Sequence, residues 1–181
     1  SMLFTEKDGS VISLADGGLN FSSDTGTEAD VIYNTVKTPT GMEFPVTFSD
    51  GTKIYLNAES EVTFPVRFSG DSREIILKGE AYLDVARKPE KPFVIRTGDA
   101  NIRVLGTSVN VRSYQDEELI QTTLVEGKVE VEISGENHEI LPGEQLQYSR
   151  STGECQVREV DINLYTAWYA GKFVFRNERL E

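Results

Sequence analysis

The sequence predicts an all-β domain of many short antiparallel strands, arranged as a sandwich or a short solenoid, with one short helix near the C-terminus. Two observations predict this fold class. β-Branched and aromatic residues alternate with polar residues along most of the chain, which is the period of a strand with one buried face. Glycine-containing turn pairs separate these runs at short intervals, among them Asp50-Gly51, Glu126-Gly127 and Ser134-Gly135.

The residues before position 34 predict an irregular lead-in, 1–33, with a candidate β-hairpin. Asp8-Gly9 introduces an alternating run in the same way as Asp50-Gly51 does later, which is typical of a turn followed by a strand. The stretch from Ala15 to Asp30 is rich in Gly, Ser, Thr, Asp and Glu, and it predicts a long loop.

Residues 34–160 predict the β domain itself. Alternating runs indicate strands at 46–48, 53–56, 62–68, 74–77, 81–85, 93–97, 102–105, 109–112, 122–125, 128–133, 139–141, 145–148 and 156–160. Lys78-Gly79 lies between two of these runs and predicts a further turn.

Residues 161–181 predict a helix or linker and the start of a truncated C-terminal domain. We expect a helix from Asp161, as the N-cap, to Ala170, with Gly171 ending it. Phe173-Val174-Phe175 begins another structured run. This run, and a start at Ser1-Met2 that resembles a tag-cleavage scar, lead us to expect a piece cut from a longer protein.

The composition is that of a globular protein and argues against several functions. Hydrophobic residues make up 38% of the chain and charged residues 27%, and the net charge is −12. An acidic surface repels phosphate backbones, so we expect no nucleic-acid partner. The single cysteine, Cys155, cannot form an intramolecular disulfide, and we expect it to be a small apolar residue in a strand. No run approaches the roughly 18 apolar residues that span a bilayer, and no signal peptide is recognisable.

Residues that could carry catalysis are sparse. His138 is the single histidine and is expected to be exposed in a hairpin turn, without the partners that a catalytic triad or a zinc site needs. Asp24, Glu28 and Asp30 lie close together but lack the spacing of a calcium-binding loop. We therefore predict no enzyme, no metal and no cofactor. A pair of facing carboxylates, as in a glycoside hydrolase, stays open because the chain has 30 Asp and Glu.

Two sets of side chains are candidates for contacts. Five arginines on strands or their flanks are expected to pair with carboxylates of neighbouring strands, although a basic binding stripe is an alternative; they are Arg67, Arg73, Arg96, Arg103 and Arg112. Aromatic residues near the C-terminus either pack the helix onto the sheet or form a protein interface, where Trp and Tyr are enriched. These interface and coupling candidates are Tyr165, Trp168, Tyr169, Phe173 and Phe175.

The order of several motifs resembles a known family. Asp50-Gly51-Thr52 is followed by Leu105-Gly106-Thr107-Ser108-Val109-Asn110-Val111, then by Leu124-Val125-Glu126-Gly127-Lys128-Val129, and last by Leu141-Pro142-Gly143-Glu144. Over residues 34 to 181 this series resembles the FecR family of anti-sigma factors in its Bacteroidetes-type form. The family offers no catalytic residues to carry over.

The resemblance implies a role in signalling across the envelope of a Gram-negative bacterium. FecR-like proteins are single-pass inner-membrane regulators, and this chain is similar to their periplasmic domain. The expected partner is the signalling domain of a TonB-dependent outer-membrane receptor, which could add a strand to an exposed sheet edge. An extracytoplasmic-function sigma factor would be bound only by a cytoplasmic segment that this sequence lacks. The alternative function is a carbohydrate-binding or adhesin-like β module, which would need exposed aromatic platforms.

Overall fold

Sixteen strands and one short helix make up the described part of the chain. A computed structural model describes residues 3–5, 10–15, 17–23 and 31–169. The elements are β1 (Leu3–Thr5), β2 (Ser10–Ala15), β3 (Gly18–Ser23), β4 (Tyr33–Lys37), β5 (Phe44–Thr47), β6 (Lys53–Leu56), β7 (Glu61–Pro65), β8 (Arg73–Asp84), β9 (Phe93–Arg96), β10 (Ala100–Val104), β11 (Ser108–Ser113), β12 (Leu119–Glu126), β13 (Val129–Ile133), β14 (Glu136–Ile140), β15 (Glu144–Ser149), β16 (Cys155–Glu159) and α1 (Asn163–Thr166).

The strands form two sheets that share β8. The first sheet has the order β1-β2-β3-β5-β6-β8-β11-β12-β15-β16, and the second has the order β4-β7-β8-β9-β10-β13-β14. The strands pair antiparallel except β3 with β5 and β8 with β9. The predicted all-β class is confirmed, and the sheets form a nearly closed, barrel-like domain around one core.

Gly79 marks the point where β8 passes from one sheet to the other. Residues 73–78 pair with β7 and β9, whereas residues 79–84 pair with β6 and β11. Gly79 has φ +92°, and a Cβ atom there would lie 2.4 Å from Ser60 Oγ. The turn predicted at Lys78-Gly79 is therefore wrong, because the glycine bends a continuous strand instead of ending it.

Inward-facing side chains of both sheets form a single hydrophobic core. Four phenylalanines lie at one part of it, with the ring centroids of Phe48 and Phe64 4.5 Å apart and those of Phe21 and Phe64 4.8 Å apart. Phe21 belongs to β3, so the loop expected from Ala15 to Asp30 is wrong for Gly18–Ser23. The polar neighbours of Phe21 hide the alternation of this strand, which pairs antiparallel with β2.

A buried ion pair joins the Asp50-Gly51 turn to the start of β8. Arg73 Nη1 donates to Asp50 Oδ2 over 2.7 Å, and the two side chains are only 1% and 5% exposed. The same guanidinium donates to the carbonyl oxygens of Ala86 and Lys91 and lies 5.2 Å from the ring centroid of Phe93. Thr52 donates its main-chain N–H and its hydroxyl to the Asp50 carboxylate. This cluster ties three separate segments together.

Two further expectations need correction. The C-terminal helix is confirmed but comprises only Asn163–Thr166; its N-cap is Ile162, and Asp161 instead accepts a hydrogen bond from the Asn163 N–H at 3.0 Å. His138 lies in β14 opposite Val131, with its side chain 23% exposed, because the turn is made by Ser134 and Gly135. Gly171 and the run at 173–175 lie outside the described residues. Among the described residues, no helix is long and apolar enough to cross a bilayer.

Candidate functional site

Six residues lie opposite one another across the outer face of the first sheet, and we call them the outer row. The strand registers pair Tyr55 of β6 with Tyr82, Tyr82 with Asn110, Asn110 with Thr123, Thr123 with Gln145, and Gln145 with Arg158 of β16. Their sequence neighbours, such as Leu83, Val109 and Leu146, lie in the core. Because successive side chains of a strand point to opposite faces, the outer row points away from the core.

The C-terminal segment, residues 161–169, lies across this outer row. Arg158 Nη2 donates to the hydroxyl of Tyr165 over 3.1 Å. Trp168 Nε1 donates to Asn110 Oδ1, also over 3.1 Å. The ring of Tyr169 stacks on Tyr82, with centroids 3.7 Å apart and planes 8° from parallel, and it contacts Tyr55 at 5.4 Å.

Three of the five aromatic candidates are thus brought together on one surface. Tyr165, Trp168 and Tyr169 are half-buried and contact the sheet, as the packing alternative expects. Phe173 and Phe175 lie outside the described residues, so their predicted role stays a prediction. The members of the outer row with which the three aromatic residues pair were not predicted from the sequence.

Much of the outer row is shielded from water although it faces away from the core. Tyr82, Asn110, Thr123 and Gln145 are between 0% and 6% exposed. Gln145 donates to the Thr123 hydroxyl over 2.8 Å and accepts from Arg158, so its polar atoms have partners. Burial raises the pKa of Tyr82, and the Tyr169 hydroxyl raises it further, so the Tyr82 hydroxyl stays neutral at physiological pH.

A hydrogen-bond network continues from the outer row to the loop between β11 and β12. Asn110 Nδ2 donates to Glu80 Oε1 over 2.9 Å, while its Oδ1 accepts from Trp168. Arg112 Nη1 donates to Glu80 Oε2 over 2.7 Å, and its Nε donates to Glu117 in the loop, also over 2.7 Å. Glu80 is only 4% exposed, and these donors supply hydrogen bonds to both of its carboxylate oxygens. The network links Trp168 to Glu117 through consecutive contacts.

The predicted pairing of strand arginines with carboxylates of neighbouring strands is confirmed for Arg96 and Arg112. Arg73 pairs instead with Asp50, which lies in the turn between β5 and β6. Arg96 Nε donates to Glu74 over 2.8 Å across neighbouring strands, and Arg112 lies directly opposite Glu80. Arg103 lies opposite Glu130 in the register of β10 and β13. The outer face of the second sheet therefore carries both signs of charge, and a basic stripe does not form there.

The described residues give no support to the enzyme alternative. Glu61, Glu74 and Glu118 each have a lowered pKa, because hydrogen-bond donors stabilise the carboxylates, whereas a general acid needs a raised pKa. Three surface clefts have volumes of about 190, 210 and 180 Å³, below the usual size of ligand pockets. No group of three or more His, Cys, Asp or Glu among these residues could hold a metal ion. Asp24, Glu28 and Asp30 lie outside them.

Cys155 is confirmed as a strand residue. It begins β16, opposite Tyr148, and packs partly buried against the core. Burial raises the pKa of its thiol, and the nearby Glu136 raises it further. A thiol with a raised pKa holds little thiolate at neutral pH, so Cys155 lacks the activation of a nucleophile.

The comparisons with known proteins agree with this architecture. The family model described as FecR protein matches residues 34–130. The chain belongs to the FecR family. The matched range holds four members of the outer row, from Tyr55 to Thr123, together with Glu80. It ends before β15, β16 and the C-terminal segment.

Two crystal structures of a candidate anti-sigma factor from Parabacteroides distasonis are similar to this FecR-family chain. Each has 36% sequence identity, with TM-scores of 0.76 and 0.75. The similarity covers 77% and 76% of this chain but 66% and 65% of those chains, just under two thirds of their length. A search of curated proteins finds no match.

Proposed function

We propose that this FecR-family chain is the periplasmic sensor and signalling domain of a transmembrane anti-sigma factor. In this role it relays the occupancy of a TonB-dependent outer-membrane receptor to an extracytoplasmic-function sigma factor. Membership of the FecR family and the similarity to a candidate anti-sigma factor support the proposal. The receptor's signalling domain would be its direct partner, whereas the sigma factor would be bound by a cytoplasmic segment outside this sequence.

The main structural support for the proposal is the packing of the C-terminal segment on the outer row. A domain that signals by contact needs a mechanical connection between its body and the chain that follows it. Tyr169 stacks on Tyr82, and Trp168 is hydrogen-bonded to Asn110, directly before the residues that continue the chain. A displacement of those following residues would therefore act on the sheet and on the Glu80 network beneath it.

The edge of the first sheet supplies a candidate surface for the receptor. Among the described residues, β16 pairs with β15 alone, and Cys155–Glu159 contains no proline. Its other edge therefore presents main-chain N–H and C=O groups that an added strand could pair with. This geometry is compatible with the proposed docking of the receptor's signalling domain by strand addition.

Affinity purification from the source bacterium tests the proposal. The full-length protein carries a tag, is crosslinked in living cells and is purified for mass spectrometry, with an equally tagged unrelated periplasmic protein as control. We expect enrichment of a TonB-dependent receptor and of an extracytoplasmic-function sigma factor, and altered expression of that factor's target genes when the protein is deleted. Retention of glycans on an array, without enrichment of a receptor, would instead favour the carbohydrate-binding alternative.

A further inference from the structure

The C-terminal segment is attached to the sheets mainly through side chains. The last main-chain hydrogen bond between this end of the chain and the rest of the domain, within the described residues, runs from Val160 N to the carbonyl of Gly143, directly before β15, over 2.9 Å. The main-chain bonds that follow stay inside the segment, as in Thr166 N to Ile162 O and Ala167 N to Asn163 O. The segment can therefore leave the sheet without breaking a bond of the strand ladder.

The short helix of this segment has little stability of its own. Helix α1 has four residues, far fewer than the roughly 12 that an isolated helix needs to be marginally stable in water. Its N-cap makes no side-chain hydrogen bond. Docking on the outer row must therefore supply most of the order of residues 161–169.

The part of the outer row beneath the segment has a composition that water can hydrate. The covered residues are polar or carry a hydroxyl: Tyr82, Asn110, Thr123 and Gln145. The inward-facing residues of the same strands are aliphatic, for example Leu83, Val109, Val111 and Leu124. When the segment leaves, water can satisfy the polar groups of the outer row, and the apolar surface that becomes exposed is that of the aromatic rings, chiefly the stacked Tyr82 and Tyr169.

We propose that the C-terminal segment is a releasable clasp, which docks on the outer row and undocks while both sheets stay folded. The partner of the outer row is thus residues 161–169 of the same chain, held at Arg158, Asn110 and Tyr82. The clasp would be one step of the proposed relay, and its biological role rests on that proposed function. Undocking would break the bond of Trp168 to Asn110, the first contact of the network that leads to Glu80 and the β11–β12 loop.

Hydrogen exchange measured by NMR tests the clasp in the 181-residue chain. The chain has one tryptophan, so its indole N–H gives a single resonance that reports on Trp168 alone. We expect this indole N–H and the amide of Ala167 to exchange much faster than the amides of Val109 and Val111 in the core, because local opening needs less free energy than unfolding.

A variant within the segment separates docking from folding. Tyr169→Ala removes the stack on Tyr82 without altering a strand, and it should speed exchange of the Trp168 indole N–H by about twofold to tenfold. Exchange of core amides should not change, and Tyr169→Phe should restore slow exchange of the indole. Tyr33→Ala is the matched control, because Tyr33 lies in β4 and is 62% exposed.

Two results would overturn the clasp. In one, the Trp168 indole N–H of the unmodified chain exchanges as slowly as the core amides, so that the segment belongs to the same cooperative unit. In the other, Tyr169→Ala speeds exchange of indole and core amides equally. Neither measurement involves a receptor or a sigma factor, so failure of the clasp and failure of the relay function are distinguishable.

Discussion

Replacing Arg73 by methionine should strongly destabilise the domain, because it leaves the carboxylate of Asp50 buried without its cation. Arg73 is 1% exposed, and its guanidinium donates to Asp50 and to the carbonyl oxygens of Ala86 and Lys91. Methionine fills a similar volume but donates no hydrogen bond. The variant therefore tests the loss of charge and donors more than the loss of packing.

The expected loss of stability in Arg73→Met follows from the burial of the ion pair between Arg73 and Asp50. Removing one partner of a buried pair typically lowers the free energy of unfolding by about 3–5 kcal/mol. For a chain of this size each kcal/mol shifts the melting temperature by about 2–4 °C, so Arg73→Met should lower it by about 6–20 °C. A second substitution, Asp50→Asn, should recover part of this loss because the buried negative charge is removed with its partner.

Urea unfolding followed by far-UV circular dichroism measures these free energies. Arg96→Met is the matched control, because its pair with Glu74 has 46% and 43% exposed side chains. An exposed pair contributes at most about 1 kcal/mol, so this control should change the unfolding midpoint only slightly. A loss below about 1 kcal/mol for Arg73→Met would refute the reasoning that this pair ties three segments together.

Three further predictions concern single positions. Gly79→Ala should destabilise the fold, since its Cβ would lie 2.4 Å from Ser60 Oγ at φ +92°; an unchanged urea midpoint would contradict the bend at Gly79. Glu118 accepts from Ser151, among other donors, and its pKa is lowered from 4.5 to about 2, so its stabilising effect is full above pH 4.5 and lost as the pH falls towards 2. The difference in urea midpoint between the unmodified chain and Glu118→Gln should therefore shrink over that range, and a difference independent of pH would count against it. Cys155, with its raised pKa, should react with iodoacetamide more slowly at pH 7 than a free cysteine does; an equal rate would show an accessible thiol whose pKa is not raised.

The accuracy of the sequence predictions depended on how local each feature is. Strand positions between residues 44 and 160 followed from alternation, because period two is a property of neighbouring residues. The turn predicted at Lys78-Gly79 was wrong because the role of Gly79 depends on how distant strands pair with β8. The turn position predicted for His138 was wrong because the hairpin turn is only Ser134 and Gly135, so His138 already lies in β14. The short strand β3 was missed because only Leu19 and Phe21 alternate in it, and the other residues are glycine, asparagine and serine, which are typical of loops.

The residues of the candidate site also divide into those that the sequence indicated and those that only the structure identified. The aromatic residues Tyr165, Trp168 and Tyr169 were found from the sequence, since Trp and Tyr near a helical segment are typical of packing and interfaces. Their partners Tyr82 and Asn110 were not found, because only the register of β6, β8, β11 and β12 places them in one row. An outward-facing tyrosine or asparagine in a strand looks solvent-exposed until another segment covers it.

The sequence by itself determined the all-β class, most strand positions, the FecR family and the aromatic composition of the C-terminal segment. Each of these depends on the type and spacing of residues along the chain. Only the tertiary structure decided that β8 serves both sheets, that Arg73 pairs with Asp50, and that the segment covers the outer row. These features join residues that are distant along the chain: Arg73 and Asp50 are 23 positions apart, and Trp168 and Asn110 are 58 positions apart. The balance of strand pairing and burial over the whole chain brings such residues together, and no local pattern records it.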